Sequence, residues 1–325
     1  IKTDDLNVGY SDGVWELIVR YSRSIVKEVN ELNGSIKELL GEYGLVRIPR
    51  ENIDRLSEIE GVLFIEKPRS LQYELLYSKI ISCIEPDVNR DENGGEGVYV
   101  AVIDSGIDYL HPDFIVNGRT RLAVIYDEVT GRVYSREDID NAIAENDRSL
   151  IIDQSGHGTT VAGIAAGNNG VAFKSDIIVV KLGEDNFFNT ARLMEGVDFA
   201  LRYAMENNRP IAINISIGNN YGAHDGTSLF ETYIDYVTEI WKNNVIVGAG
   251  NEADKRIHAE VNLNDRSEVC EFSVGNYEES IAIQIWKRYW DDFYIGIETP
   301  SGERFVVPKD ESIYEYKSLN ETIYV

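Results

Sequence analysis

Three short stretches carry residue types suited to acid–base or anion-stabilising chemistry. The apolar run Val98–Ile103 ends in Asp104-Ser105-Gly106. Such a run suits a strand buried on both faces of a parallel sheet, and active sites gather at the carboxyl ends of those strands. A carboxylate there is well placed for chemistry; in isolation it would read as a turn or capping residue. His157 stands between glycines in Gly156-His157-Gly158-Thr159, at the head of the small-residue stretch Val161–Gly167. Small side chains let a helix lie close to its neighbours, which predicts a buried helix, and the glycines leave the imidazole open to an approaching backbone. His111, His224 and His258 lack that context and read as structural. The third stretch, Gly248-Ala249-Gly250-Asn251-Glu252, closes the apolar run that begins at Val245. An Asn amide at a strand end can donate to a developing oxyanion, although a lone Asn there is commonly a turn residue.

The elements that must position these residues alternate. Runs at Val98–Ile103, Ile177–Val180, Ile211–Ile215 and Val245–Ala249 read as buried strands. Between them, Thr190–Glu206 repeats Leu193, Val197, Ala200, Leu201 and Ala204 at helical spacing, and Leu229–Trp241 does so with Tyr233, Tyr236, Val237 and Ile240. Strands alternating with helices indicate an α/β domain with a parallel sheet. Ahead of it, residues 1–72 read as a separate α+β unit. Val14–Tyr21, Tyr43–Ile48 and Val62–Glu66 are its strands. Ser24 is the expected cap of a helix through Ile25, Val29 and Leu32, and Asn52–Ile59 is a second helix. That order fits a split βαβ, ferredoxin-like unit. Glu85–Gly97 is a polar connection.

After about residue 260 the helical pattern stops. Phe272–Val274, Ser280–Trp286, Phe293–Glu298 and Arg304–Val307 read as short strands, punctuated by Gly275-Asn276 and Pro300-Ser301-Gly302. They predict the start of an antiparallel sandwich or jelly roll. The expected division is 1–72, 73–259 and 260–325.

Composition narrows the function classes. A net charge of −25 repels phosphate backbones and anionic membranes, so neither nucleic acid nor a membrane is an expected partner. No apolar run approaches the ~20 residues that span a bilayer. Two cysteines, Cys83 and Cys270, make no disulfide framework; they read as buried apolar residues and favour a reducing compartment. No signal peptide is legible, which favours a cytoplasmic location.

Taken together, the three stretches resemble the subtilisin-like (subtilase) serine proteases. The Asp motif matches Val102-Ile103-Asp104-Ser105-Gly106-Ile107-Asp108, followed by His111-Pro112-Asp113; the His motif matches Gly156-His157-Gly158-Thr159. The substrate-strand motif matches Asn214-Ile215-Ser216-Ile217-Gly218, and the oxyanion motif Gly250-Asn251-Glu252. All four fall in the family's order. Asn219–Leu229, Phe272–Gly275 and Ile283–Trp286 are similar to the germination-protease (Csp) branch of spore-forming bacteria, whose members carry an N-terminal prodomain and a jelly-roll insertion.

The resemblance implies a serine endopeptidase acting on protein or peptide substrates, with a spore-associated location beside the cytoplasmic one. Asp104 would orient His157, and His157 would be general base and then general acid. Asn251 would hold the oxyanion, and Ser216, Ile217 and Gly218 would pair with substrate backbone. Residues 1–72 would be a chaperone and inhibitor whose end, Ser70–Tyr73, lies along Ser216–Gly218, with self-cleavage after Gln72. The chain departs from the family in two places. The serine expected after Asn251 has no match, so the catalytic segment is expected beyond Val325 and these 325 residues alone are expected to be inactive. The only Gly-Thr-Ser, Gly226-Thr227-Ser228, precedes Asn251, and Ser228 with Glu231 reads as a capping box. The path from Gly167 to Ile177 is also too short for the family's calcium loop, although Asp113, Asn168 and Asn169 remain. No cofactor is expected, and calcium is weakly supported. The alternative is a non-catalytic pseudoprotease, a binding scaffold in germination; retention of both Asp104 and His157 argues for the enzyme.

Overall fold

The computed structural model describes residues 7–73, 94–183, 188–252, 255, 257–263, 266–273, 283–288, 290–307, 309, 315–317 and 322–324. Cys83, most of Glu85–Gly97 and the expected strand residues 274 and 280–282 lie outside them. The chain divides into two compact units, Ile1–Ala282 and Ile283–Val325.

The first unit opens with β1 (Tyr10–Ser11) and β2 (Val14–Tyr21), then α1 (Val26–Glu31), β3 (Ser35–Glu38), β4 (Tyr43–Pro49), α2 (Ile53–Ser57) and β5 (Val62–Glu66). The strands pair antiparallel in the order β5-β2-β4-β3, with β1 forming a hairpin on β2. This is the ferredoxin-like arrangement, completed by a strand, β3, that the sequence reading lacked. Ser35-Ile36-Lys37-Glu38 is short and mostly exposed, so it has no apolar run to announce it. Ser24 does not cap α1. The N-cap is Ile25, with no side-chain bond, and the Ser24 hydroxyl donates to Glu38 Oε1 at 3.3 Å. Period-2 alternation gives the sheet two apolar faces. Leu17, Val19, Val46 and Ile48 pack with Ile25, Val29 and Leu56 of the helical layer, while Ile18, Tyr43 and Leu45 join the large core beyond.

That core belongs to a parallel sheet. After β6 (Gln72–Tyr73) come β7 (Tyr99–Asp104), the hairpin β8 (Ile115–Val116) and β9 (Arg119–Thr120), then β10 (Leu122–Asp127), β11 (Arg132–Ser135), α3 (Arg136–Glu145), α4 (His157–Ala166) and β12 (Asp176–Lys181). They are followed by α5 (Thr190–Glu206), β13 (Ile211–Ile215), β14 (Ile217–Gly218), α6 (Leu229–Glu239) and β15 (Asn243–Val247). The strand order is β11-β10-β12-β7-β13-β15, parallel throughout except for edge strand β11. One face, through Ala101, Ile103, Ile178 and Val180, packs on α5 and α6 and through them on the N-terminal sheet. The other, through Val100, Val102, Ile177 and Val179, packs on α3 and α4. Helices on both faces are what continuous apolar strands require.

Polar contacts weld the N-terminal unit to α5. Arg192 pairs with Glu16 at 2.7 Å and Glu195 at 2.8 Å, Lys37 and the Tyr126 hydroxyl both reach Glu195, and Leu40 N donates to Asp198 at 2.6 Å. Glu128 lies behind them, buried, with neither carboxylate oxygen hydrogen-bonded. Burial above all, and then the nearby charge of Glu195, pushes its carboxyl far above the usual range.

Two further expectations fail in the first unit. β15 ends at Val247 and is an exposed edge, with Ile246 50% and Val247 48% accessible; an apolar run marks a strand able to be covered, not one that is. Cys270 is exposed, because its surroundings after residue 257 form no packed core among the described residues. In the second unit no jelly roll is formed by the described residues. β16 (Gly296–Glu298) pairs with β17 (Arg304–Val306), and β18 (Glu315–Lys317) with β19 (Thr322–Tyr324), as two separate ladders. Residues 272–273, 283–286 and 293–295 are not in strands: alternation alone gives a strand no partner. No helix of the described residues is long and apolar enough to cross a membrane.

Candidate active site

Asp104 is the last residue of β7, and the parallel register sets its neighbours. Lys181 lies opposite it on β12, and Asn214 of β13 opposite Val102. The carboxylate is fully buried. One of its oxygens, Oδ1, accepts from Ser105 N at 2.7 Å and from His157 Nδ1 at 2.7 Å. His157 is itself 5% exposed and opens α4. The approach of helix to strand is close enough that Gly158 tolerates no side chain: a Cβ there would sit 2.2 Å from Gly106 O. The sequence therefore brings a carboxylate and an imidazole, 53 residues apart, into direct contact in a site walled from water. A carboxylate that accepts from Nδ1–H fixes that tautomer and turns Nε2 into the proton acceptor.

The strand carrying Ser216, Ile217 and Gly218 leaves the sheet after β13. Asn214 Nδ2 donates to Ser216 Oγ at 2.9 Å. β14 pairs antiparallel with β6, with Gly218 opposite Gln72 and Ile217 opposite Tyr73. On its other side the same N-terminal segment is bonded to the start of α5. Leu71 N donates to Phe188 O at 3.1 Å, Thr190 N to Arg69 O at 2.9 Å, and Ser70 bridges Asn189. Asn219 Nδ2 closes on Ser70 O at 2.7 Å. The segment is thus the middle strand between two walls, with Leu71 buried in the core. Asn251 follows β15, whose parallel pairing with β13 puts it beyond the carboxyl edge that carries Asp104 and Ser216. It is exposed, and its backbone N–H donates to Glu252 Oε2 at 3.0 Å.

Family models match both parts of this arrangement: the subtilase family over residues 95–317, and the Csp protease B prodomain over residues 1–69. The chain belongs to the subtilase family. The solved structure of the CspB protease of Clostridium perfringens is similar to this subtilase at 32% identity and a TM-score of 0.61, over 76% of this chain and 55% of that one. A subtilisin-like protease of Coccidioides posadasii is 32% identical over 135 residues, 41% of this chain and 28% of the relative. Alkaline protease 1 of Aspergillus flavus is 29% identical over 171 residues, 51% and 35% of the two chains. The subtilase chain thus spans about a third of the length of these curated relatives.

Ser228 is the N-cap of α6: Glu231 N donates to its hydroxyl at 3.2 Å and Ser228 N donates to Glu231 Oε2 at 3.1 Å, the two bonds of a capping box. The short connection after Gly167 is organised by Arg121, a residue the sequence reading did not single out. Its guanidinium is largely buried and donates to Asn168 Oδ1 at 3.3 Å, Ala172 O at 3.1 Å and Ser175 O at 2.6 Å. Asn168 spends its amide on Pro112 O and Ile115 O. Asn168 Oδ1, an oxygen that would suit a hard cation, thus already faces a positive charge. Asp153 was also missed. It lies four residues before His157, and only its proximity in sequence could have signalled it.

Proposed function

We propose that this subtilase is part of a serine endopeptidase that hydrolyses peptide bonds through an Asp-His-Ser triad. The observation that carries the reading is the buried 2.7 Å contact between His157 Nδ1 and Asp104 Oδ1. Asp104 holds the imidazole in the Nδ1–H tautomer and stabilises its cation. His157 takes the proton from a serine supplied by a later segment of the protein, and returns it to the leaving amine. Asn251 donates to the oxyanion. Substrate adds as a strand beside Ser216-Ile217-Gly218, with backbone bonds giving affinity and side-chain pockets giving preference.

Residues 1–72 act as an intramolecular inhibitor: the segment paired with Gly218 and Ile217 occupies the groove a substrate would use. The enzyme cuts itself next to Gln72, inside that paired segment. Likeness to a Csp protease supports a role in spore germination, and the 325-residue chain by itself lacks peptidase activity.

The test uses the full-length protein with a fluorogenic peptide and intact-mass analysis. Wild type should turn over and show a cut near Gln72. His157→Ala should lose both, with a rate fall of at least about 10⁴-fold. Equal rates in the two proteins would refute the triad, and an uncut chain in an active enzyme would refute self-processing.

A further inference from the structure

α4 begins without an ordinary cap. Its N-cap position is Gly156, at φ 71°, which has no side chain to meet the first-turn N–H groups. Four consecutive amides nevertheless all find side-chain acceptors. Gly156 N donates to Asp153 Oδ1 at 3.0 Å and Thr159 N to Asp153 Oδ2 at 2.9 Å. His157 N donates to Ser155 Oγ at 3.1 Å, and Gly158 N to Ser105 Oγ at 2.9 Å. Both of those hydroxyls donate in turn to Asp153 Oδ1, at 3.4 Å from Ser155 and 2.7 Å from Ser105. The Thr159 hydroxyl, which accepts from Asp108 N at 2.9 Å, donates to Asp153 Oδ2 at 2.5 Å. Every one of the four amides around His157 therefore ends on one carboxylate, directly or through one hydroxyl.

Ser105 joins this network to the acid. Its backbone N–H donates to Asp104 Oδ1, the oxygen that also accepts from His157 Nδ1. Asp153 thus ties the end of β7 to the first turn of α4. Its own segment is anchored as well, since Lys181 Nζ on the neighbouring strand donates to Ile152 O at 2.9 Å. We infer that Asp153 is a positioning residue for His157, holding the imidazole against Asp104 by fixing the loop and helix turn that carry it. The role needs the carboxylate ionised, because an acceptor-only group is required to receive so many donors. Burial alone would raise its pKa, but the bonds from Thr159 and Ser105 outweigh burial and hold it below the usual carboxylate range. The positive end of α4 favours the same charge.

The catalytic consequence rests on the protease reading, but the geometric one does not, and the experiment separates them. The 325-residue chain, labelled with 15N-histidine, is examined by NMR at pH 8, with His157→Ala assigning the ring signals. The wild type should show a downfield Nδ1 proton that exchanges slowly. In Asp153→Asn, which keeps the shape but places an NH₂ among donors, that proton should exchange at least about 10-fold faster or vanish. Ser105→Ala, which removes one hydroxyl, should speed exchange less, and it carries the test should Asp153→Asn fail to fold. In full-length enzyme Asp153→Asn should lower kcat about 10- to 100-fold with KM little changed, the pattern of a misplaced catalytic group. An Nδ1 proton missing from the wild type, or retained at wild-type exchange in the variants, overturns the inference. Full-length wild type without hydrolysis would sink the protease reading and leave the spectroscopic arm intact.

Discussion

Gly158→Ala sets local propensity against tertiary packing with opposite signs. Inside a helix, Gly to Ala normally stabilises by about 1 kcal/mol. At position 158 the added Cβ would lie 2.2 Å from Gly106 O, 3.1 Å from Gly106 N and 3.2 Å from Asp104 Cβ. A carbon and a carbonyl oxygen rest more than 3 Å apart, so α4 must retreat from β7 by roughly 1 Å. Backbone atoms cannot rotate aside as a side chain can. The cost belongs at the upper end of the ~1–3 kcal/mol for overpacking, leaving a net loss of about 2 kcal/mol after the propensity gain. Gly163 is the control in the same helix, since its Cβ would meet nothing closer than Asp113 Oδ2 at 3.4 Å. Urea unfolding of the chain, with wild type and both variants side by side, reads the answer. Gly163→Ala should shift the transition of the first unit up and Gly158→Ala should shift it down. The retreat should also lengthen the His157–Asp104 contact, and a 1 Å misplacement of that kind can cost about 100-fold in turnover of the full-length enzyme. A Gly158→Ala protein as stable as Gly163→Ala would refute the packing argument, and with it the claim that this glycine sets the distance between acid and base.

Three further outcomes follow from named contacts. Arg121→Met should destabilise the first unit by about 2–4 kcal/mol, because it leaves Ser175 O and Asn168 Oδ1 without their donor, while a chelator should leave the wild-type melting midpoint unchanged; a fall on chelation would show that a metal holds this loop. Ser228→Ala should cost about 1 kcal/mol through loss of the α6 cap, and in full-length enzyme it should not abolish hydrolysis; loss of all activity would make Ser228 the nucleophile. Glu128→Gln tests the buried carboxyl, whose raised pKa means stability that is complete below the unfolded value and is lost as pH rises toward the folded one. The variant should therefore gain on the wild type as pH is taken from 4 to 8 in parallel thermal melts, and a constant difference would refute the assignment.

The sequence by itself determined the local elements and the two chemical motifs. Thr190–Glu206 is helical over the predicted span because its apolar residues repeat at 3.6 and Asn189 caps it, accepting from Ala191 N and Arg192 N. Asp104 and His157 were legible because a buried strand end and a glycine-flanked imidazole are unusual in themselves. β10 is legible too, since Leu122–Tyr126 is a continuous apolar run. Tertiary structure alone decided the rest. Gln72 meets Gly218, 146 positions further along the chain, and no local preference encodes that register. Asp153 and Arg121 look like ordinary surface charges in the sequence; their partners are backbone and side-chain atoms gathered from separate elements. Ile246-Val247 shows the opposite failure, an apolar strand end left exposed. Periodicity records what a segment is able to bury, because that depends on neighbours a few residues away. What it does bury, and which polar groups its burial leaves to be satisfied, depends on which other segments arrive, and that is settled only when the chain packs.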